Sequence, residues 1–168
     1  MNAIDKPDEQ NETRFTDAMV RKSRKKSKVL VDTNVILDFV LQREHYAEAK
    51  QALAKEIAAK TTLLMSVGGF YTMLFVVDKY FRKDLQQSRQ AAIEQTRDVM
   101  RKVLSLFTVA EHDNETLLSG INDVSYSDIE DSCQYQLALK HGCDKLMTFN
   151  AGDFPANIHD DVVIMSLC

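Results

Sequence analysis

Short apolar runs rich in β-branched residues alternate along the chain with longer segments in which apolar positions recur every three or four residues. The short runs predict strands at residues 29–32, 62–66, 106–109, 145–148 and 162–165. The longer segments predict amphipathic helices between them. Strands that alternate with helices need crossover connections, which produce parallel pairing. The pattern therefore predicts an α/β fold: a three-layer α/β/α sandwich with a central parallel sheet of about five strands.

Two of the predicted helices have features beyond their periodicity. Residues 70–81 are apolar almost all round, which predicts a buried helix that follows an interruption at Gly68 and Gly69. Ser127 and Glu130 have the spacing of a capping box, which predicts the start of the helix before the fourth strand. That helix carries acidic residues in its first turn.

Acidic residues follow the predicted strands at well separated places. Asp32 closes the first apolar run, and Asp153 comes shortly after the fourth. Asp128 and Asp131 are three residues apart in one helical turn, so their side chains share a face. Because ligands of parallel α/β sheets bind at the carboxyl ends of the strands, we expect these four carboxylates at one edge of the sheet.

Carboxylates that cluster in this way predict a bound cation. Without one they repel each other, and at least one tends to hold a proton. Ligation by oxygen alone favours Mg²⁺ or Mn²⁺ over zinc. Such an ion polarises a phosphate and activates a water for in-line attack. The predicted ligands are Asp32, Asp128, Asp131 and Asp153.

Each acid also has a purely structural interpretation. Asp32 suits a helix cap, although a carboxylate that closes an apolar strand is costly without a partner. For Asp128, a cap and a site are equally good readings. Asp153 and Asn150 also suit a turn stabilised by local backbone bonds. Asp38 is predicted on the solvated end of the first helix.

Charge is distributed unevenly along the 168 residues. Residues 21–28 carry six positive charges, whereas residues 29–168 carry 13 Lys and Arg against 20 Asp and Glu, a net charge of −7. The basic stretch suits nucleic acid or an acidic partner, and a solvated tail is the alternative. Residues 1–20 are polar and acidic. We therefore predict a disordered polar extension over residues 1–27 and one compact domain over residues 28–168.

Several classes of protein are disfavoured by what the sequence lacks. The three cysteines form no CxxC pair, which argues against zinc or a disulfide framework. No apolar run is long enough to span a bilayer and no signal-peptide core is present, so we expect a cytoplasmic protein without membrane contact. A Rossmann fingerprint and a P-loop are absent. A haloacid-dehalogenase-type phosphatase would need an aspartate where this chain has Asn34.

The residues around the acids resemble a PIN domain. The resemblance rests on the Asp-Thr-Asn sequence that begins at Asp32, the acidic group from Asp128 to Asp131 and the segment from Thr148 to Phe154. It covers about residues 28–168. It implies the α/β/α fold and a Mg²⁺- or Mn²⁺-dependent endoribonuclease of the VapC-like toxin type. It also implies an RNA substrate, an antitoxin partner and a homodimer.

Carried over residue by residue, the resemblance makes Asp32, Asp131 and Asp153 the metal-binding acids. Asp128 is an extra acid one turn before Asp131. The resemblance also implies that four polar residues support the site: Thr33, Asn34, Thr72 and Asn150.

One position departs from the family pattern. The usual glutamate, some six positions after the strand-ending Ser66, falls at Thr72, and the surrounding segment contains no acid. Some bacterial PIN-like proteins resemble this chain in lacking that glutamate and in carrying the Asp-x-Glu-Asp cluster, so Asp128 is a candidate to replace its charge. The alternative is a catalytically impaired PIN domain that acts as an RNA- or protein-binding module.

Overall fold

A parallel five-stranded sheet forms the centre of the structure, a computed structural model that describes residues 26–155 and 162–167. The strands are β1 (Lys28–Val31), β2 (Thr62–Ser66), β3 (Phe107–Ala110), β4 (Lys145–Thr148) and β5 (Val163–Ser166). They lie in the order β3-β2-β1-β4-β5, and every neighbouring pair is parallel. The predicted sheet is therefore confirmed.

Helices cover both faces of this sheet. Those within the described residues are α1 (Thr33–Leu41), α2 (Tyr46–Ala58), α3 (Val67–Lys79), α4 (Arg89–Leu106), α5 (Asn114–Asn122) and α6 (Ile129–Lys140). A π-helical turn (Tyr80–Asp84) continues α3, and a 3-10 turn (Ala151–Asp153) follows β4. Helices α1 to α4 share one hydrophobic core with the sheet, and α6 shares a second core on the opposite face. This is the predicted three-layer α/β/α architecture.

The central strand shows why its sequence is continuously apolar. Val29 and Val31 point into the first core and Leu30 points into the second, and all three are buried. A strand covered on both faces has no solvent-facing side for polar residues. The uninterrupted apolar run therefore encodes a central position in the sheet.

The strand order places a crevice at the carboxyl end of β1. From β1 the chain first adds β2 and β3 on one side and then returns to add β4 and β5 on the other. Ligands of open α/β sheets bind where the strand order reverses in this way. The residues that follow β1 and β4 are thus the ones that the fold brings to the ligand-binding edge.

The prediction for residues 70–81 was wrong in two respects. Helix α3 begins earlier, at Val67, because the Ser66 hydroxyl accepts a hydrogen bond from the Gly69 backbone N–H at 2.9 Å and caps the helix. The helix is also only half buried, with Tyr71 and Phe75 exposed. Apolar residues on all sides of a helix indicate burial only when another element covers each side.

Two predictions about helix ends also need correction. Asp38 is buried rather than solvated, since its Oδ2 accepts a hydrogen bond from the His45 backbone N–H at 3.1 Å and closes the loop between α1 and α2. Asp128, and not Ser127, caps α6: its Oδ1 accepts a hydrogen bond from the Glu130 backbone N–H at 2.7 Å.

A glycine allows α5 to pack closely against α6. A Cβ atom at Gly120 would lie 2.8 Å from the Cα of Cys133, a separation that real Cβ contacts do not reach. The Ser132 hydroxyl donates a hydrogen bond of 2.9 Å to the Gly120 carbonyl at the same contact. This packing holds the helix that carries Asp131.

Residues 1–25 of the predicted N-terminal extension lie outside the described residues, so the division at residue 27 stays a prediction. Within residues 26–155 and 162–167, none of the helices combines the length and apolarity needed to cross a membrane.

Candidate functional site

Asp32 stands directly at the carboxyl end of β1 and is only 4% exposed. Its Oδ1 accepts a hydrogen bond from the Asn34 backbone N–H at 3.2 Å, which makes Asp32 the cap of α1. Its Oδ2 accepts a hydrogen bond from the Thr148 hydroxyl at 2.9 Å, across from the end of β4. Asp32 can therefore act both as a helix cap and as a site residue, because capping holds its carboxylate in a fixed orientation.

Asp131 lies in the first turn of α6 and is 9% exposed. Burial, and then the charges of Asp128, Asp32, Asp153 and Glu130 in decreasing order, together raise the pKa of its carboxyl to about 7. Each of the other predicted acids thus acts on Asp131. The acids that the sequence places on three separate segments therefore lie within electrostatic range of Asp131.

The protein offers this cluster no cation of its own among the described residues. The ion pairs found there join Arg82 to Asp78, Arg97 to Glu94, Arg101 to Asp98, Lys140 to Asp113 and Lys145 to Glu56. None includes Asp32, Asp128, Asp131 or Asp153. An oxygen-only donor set with unneutralised negative charge matches the chemistry of a hard divalent ion.

The carboxylates nevertheless do not form a closed metal cage. In the part of the chain that the structure describes, no three His, Cys, Asp or Glu side chains form a group that could hold a metal ion. Asp128 is engaged by its own helix cap, and Asp153 is exposed in the 3-10 turn. Mg²⁺ usually keeps several waters and is bound through one or two protein carboxylates, so the donor chemistry fits without a complete cage.

The supporting polar residues divide into two groups. Thr33 is buried beside Gly69, where a Cβ atom would collide with the Thr33 hydroxyl, so the start of α3 packs directly behind Asp32. The side chains of Asn34 and Asn150 are exposed, but the Asn150 backbone N–H donates a hydrogen bond of 3.0 Å to Thr148 Oγ1. Thr72 is exposed on α3, and no described hydrogen bond links it to the acids.

The sequence analysis did not single out Thr148 as a site residue. Its side chain is fully buried and joins β4 to Asp32, across 116 residues of sequence. A threonine as the last residue of a strand, just before the Asn150 turn, is the only local signal for this role. The partner that gives it the role lies on another strand.

These features define the class of the protein: a three-layer α/β fold with two buried aspartates, Asp32 and Asp131, and two exposed ones at the carboxyl edge of a parallel sheet. A model of the PIN domain family matches residues 28–152. The chain therefore belongs to the PIN domain family, as its motifs predicted.

Named relatives are consistent with this membership. The chain is 31% identical over 129 residues to Ribonuclease VapC1 of Aquifex aeolicus (strain VF5), covering 76% of this chain and 83% of the relative. A toxin-antitoxin complex from Klebsiella pneumoniae has a similar fold, with a TM-score of 0.57 at 24% identity over 80% of this chain and 95% of that one. The crystal structure of VapBC2 from Rickettsia felis bound to a promoter DNA fragment also has a similar fold. Its TM-score is 0.56 at 12% identity, covering 83% of this chain and 98% of that one.

Proposed function

We propose that this protein is a metal-dependent endoribonuclease that hydrolyses RNA phosphodiester bonds, and that it is the toxin of a type II toxin–antitoxin pair. The observation that carries the proposal is the buried carboxylate of Asp32, fixed by Thr148 at the end of β1 within range of the charge of Asp131. The similarity to Ribonuclease VapC1 supports the same activity.

The chain's own residues prepare the site for this chemistry. A bound Mg²⁺ or Mn²⁺ would supply polarisation of the phosphate and a water of lowered pKa. Asp32 and Asp131 are the residues placed to hold it, with Asp153 and Asp128 at the rim. Because both oxygens of Asp32 already accept hydrogen bonds, its carboxylate needs little reorganisation. Asp131, with a pKa near 7, has to release its proton before it acts as a ligand.

A catalytically impaired RNA- or protein-binding module is the weaker proposal. It rests on the glutamate that is missing at Thr72, which is exposed and uncharged. The remaining acids add to the effect of burial in raising the pKa of Asp131 to about 7. Binding of a cation relieves that repulsion, so the cluster retains a physical reason to bind metal without the glutamate.

Metal removal tests the proposed activity. We expect the purified protein to cleave fluorescently labelled single-stranded RNA with Mg²⁺ or Mn²⁺, to stop in chelator and to recover when the ion is restored. Mn²⁺ should also raise the midpoint of thermal unfolding, because it binds the folded state alone. Undiminished cleavage in chelator would contradict metal dependence. Absence of both cleavage and a Mn²⁺-induced rise in the midpoint would favour the binding module.

An apolar groove between α1, α2 and α4 is the candidate surface for an antitoxin. Two adjoining cavities of about 250 and 220 Å³ share Phe39, Leu106 and Phe107 in their walls. Their charged rim is basic, with Lys102 beside one cavity and Lys50 beside the other. We propose that this groove binds a segment of the antitoxin that presents apolar side chains flanked by acidic ones, since the basic rim complements acidic residues.

Leu106→Glu tests the groove. Leu106 is 44% exposed and lines both cavities, so a glutamate there places a charge in the apolar contact. We expect the affinity for the protein encoded by the neighbouring gene to fall at least about tenfold, with RNA cleavage unchanged. Leu118→Glu on α5, where Leu118 is 57% exposed and outside the groove, is the matched control. Equal affinity of the two variants, measured by surface plasmon resonance, would place the partner elsewhere.

Two further expectations stay proposals: a homodimer, which the resemblance implies, and a cytoplasmic location, which the sequence analysis predicts. Light scattering of the purified protein measures the first directly.

A further inference from the structure

The Tyr126 hydroxyl is a buried polar group that has no hydrogen-bond partner among the described residues. Tyr126 lies in the loop between α5 and α6, two residues before Asp128. A buried donor that makes no hydrogen bond is costly, and in a native structure such a group is often explained by a functional role. The proposed mechanism above makes no use of this group.

The ring of Tyr126 packs between two of the three segments that carry the acids. Its centroid lies 5.9 Å from that of Phe154, the residue after Asp153, in an edge-on arrangement of 80°. It lies 6.2 Å from the ring of Tyr135, which is one helical turn after Asp131 on α6. Residues four apart on a helix are neighbours on its surface, so Tyr126 covers the same face of α6 that presents Asp131.

The carboxylate of Asp131 has unused capacity to accept hydrogen bonds. Among the described residues, no hydrogen-bond donor reaches its side chain, although Asp32 and Asp128 each accept at least one hydrogen bond. Burial raises the pKa of the Tyr126 hydroxyl, and the neighbouring groups of Tyr135, Asp123 and Asp131 raise it further. The Tyr126 hydroxyl is therefore an unused donor that packs on the face of α6 presenting Asp131, whose carboxylate accepts no hydrogen bond from the described residues.

We propose that Tyr126 is a positioning residue, whose hydroxyl donates a hydrogen bond to the Asp131 carboxylate when that carboxylate serves as a ligand. The inference rests on the proposed function, because it concerns the same acidic site. Donors in the outer shell of a metal site orient carboxylate ligands, and their loss typically weakens metal binding about 10- to 100-fold. Tyr126 acts through Asp131 and has no contact with substrate in this account.

Tyr126→Phe removes the hydroxyl and keeps the ring that packs on Phe154 and Tyr135. At pH 8 we expect the affinity for Mn²⁺, measured by titration calorimetry, to fall about tenfold. The midpoint of thermal unfolding without metal should stay the same or rise slightly, because an unpaired buried hydroxyl is lost. Cleavage of RNA should recover at saturating Mn²⁺, since the defect lies in holding the ion.

Thr96→Val is the matched control. The Thr96 hydroxyl is also buried and finds no hydrogen-bond partner in the described part of the chain, but it lies on α4, on the opposite face of the sheet from Tyr126. Its removal should leave Mn²⁺ affinity unchanged. Equal affinity of Tyr126→Phe and Thr96→Val would overturn the proposal, as would a Tyr126→Phe protein that loses stability and affinity together. Failure of the unmodified protein to bind Mn²⁺ would instead reject the proposed metal dependence itself.

Discussion

Asp32→Asn is expected to lower the rate of RNA cleavage by at least about a hundredfold while the protein stays folded. The substitution removes one negative charge from the centre of the cluster and with it a metal ligand. Each tenfold loss of rate corresponds to roughly 1.36 kcal/mol of activation free energy. Loss of an interaction that stabilises the transition state by several kcal/mol therefore lowers the rate by about two to three powers of ten. Mn²⁺ binding, followed by calorimetry, should fall with the rate.

The fold should survive because asparagine keeps the shape of the side chain. Its amide oxygen still accepts the hydrogen bond from the Asn34 backbone N–H. The Thr148 hydroxyl donates to Asp32 in the unmodified protein, and a hydroxyl also accepts, so it suits an amide NH₂ in the same place. We therefore expect a change in the unfolding free energy of no more than about 1 kcal/mol.

Asp38→Asn is the control for this experiment, because Asp38 is also a buried aspartate of α1, at 8% exposure, but binds the α1–α2 loop and not the cluster. It should lower stability by about 1 kcal/mol and leave cleavage intact. Wild-type cleavage by Asp32→Asn, at equal concentrations of protein and metal, would remove Asp32 from the mechanism.

Asp131→Asn is expected to stabilise the metal-free protein at pH 8 and to abolish its response to Mn²⁺. The pKa of Asp131 is raised from 3.8 to about 7, mainly by burial, so the folded state binds its proton more tightly than the unfolded chain. As the pH rises from 3.8 to about 7, the unfolded chain is increasingly favoured, and this loss of stability is complete above pH 7. Asparagine does not ionise, so the Asp131→Asn protein does not lose this stability as the pH rises.

The size of this effect follows from the shift. A rise of the pKa by about three, at about 1.36 kcal/mol for each pKa unit, sets an upper value near 4 kcal/mol for the effect on the unfolding free energy. We therefore expect Asp131→Asn to raise the unfolding free energy by about 2–4 kcal/mol above pH 7. For a domain of this length, that gain raises the unfolding midpoint by about 5–10 °C. Below pH 4 the two proteins should have nearly equal stability.

Thermal unfolding in chelator between pH 4 and 8.5 measures this difference. The midpoint of the unmodified protein should drop progressively below that of Asp131→Asn up to pH 7 and then run parallel to it. Asp98→Asn, at an exposed aspartate of α4, is the control and should follow the unmodified protein. If the unfolding midpoints of the unmodified protein and of Asp131→Asn change in parallel over the whole pH range, the pKa of Asp131 is not raised by burial and charge.

The local pattern of the sequence determined the elements and the sheet type. The run at residues 62–66 coincides with β2, and the run that ends on Asp32 locates both β1 and the first acid of the site. Burial on both faces of a central strand leaves a continuous apolar signature, and this signature needs no knowledge of the partner strands. The positions of Asp128, Asp131 and Asp153 beside later elements follow from the same reading.

Only the tertiary structure decided which distant groups meet. Thr148 fixes Asp32 from the end of β4, Asp38 is buried because His45 closes a loop over it, and Tyr126 is enclosed by Phe154 and Tyr135. The exposed face of α3 at Tyr71 and Phe75 likewise depends on which helices pack beside it. Periodicity encodes which side of an element is apolar, but the neighbour that covers that side is chosen by long-range packing.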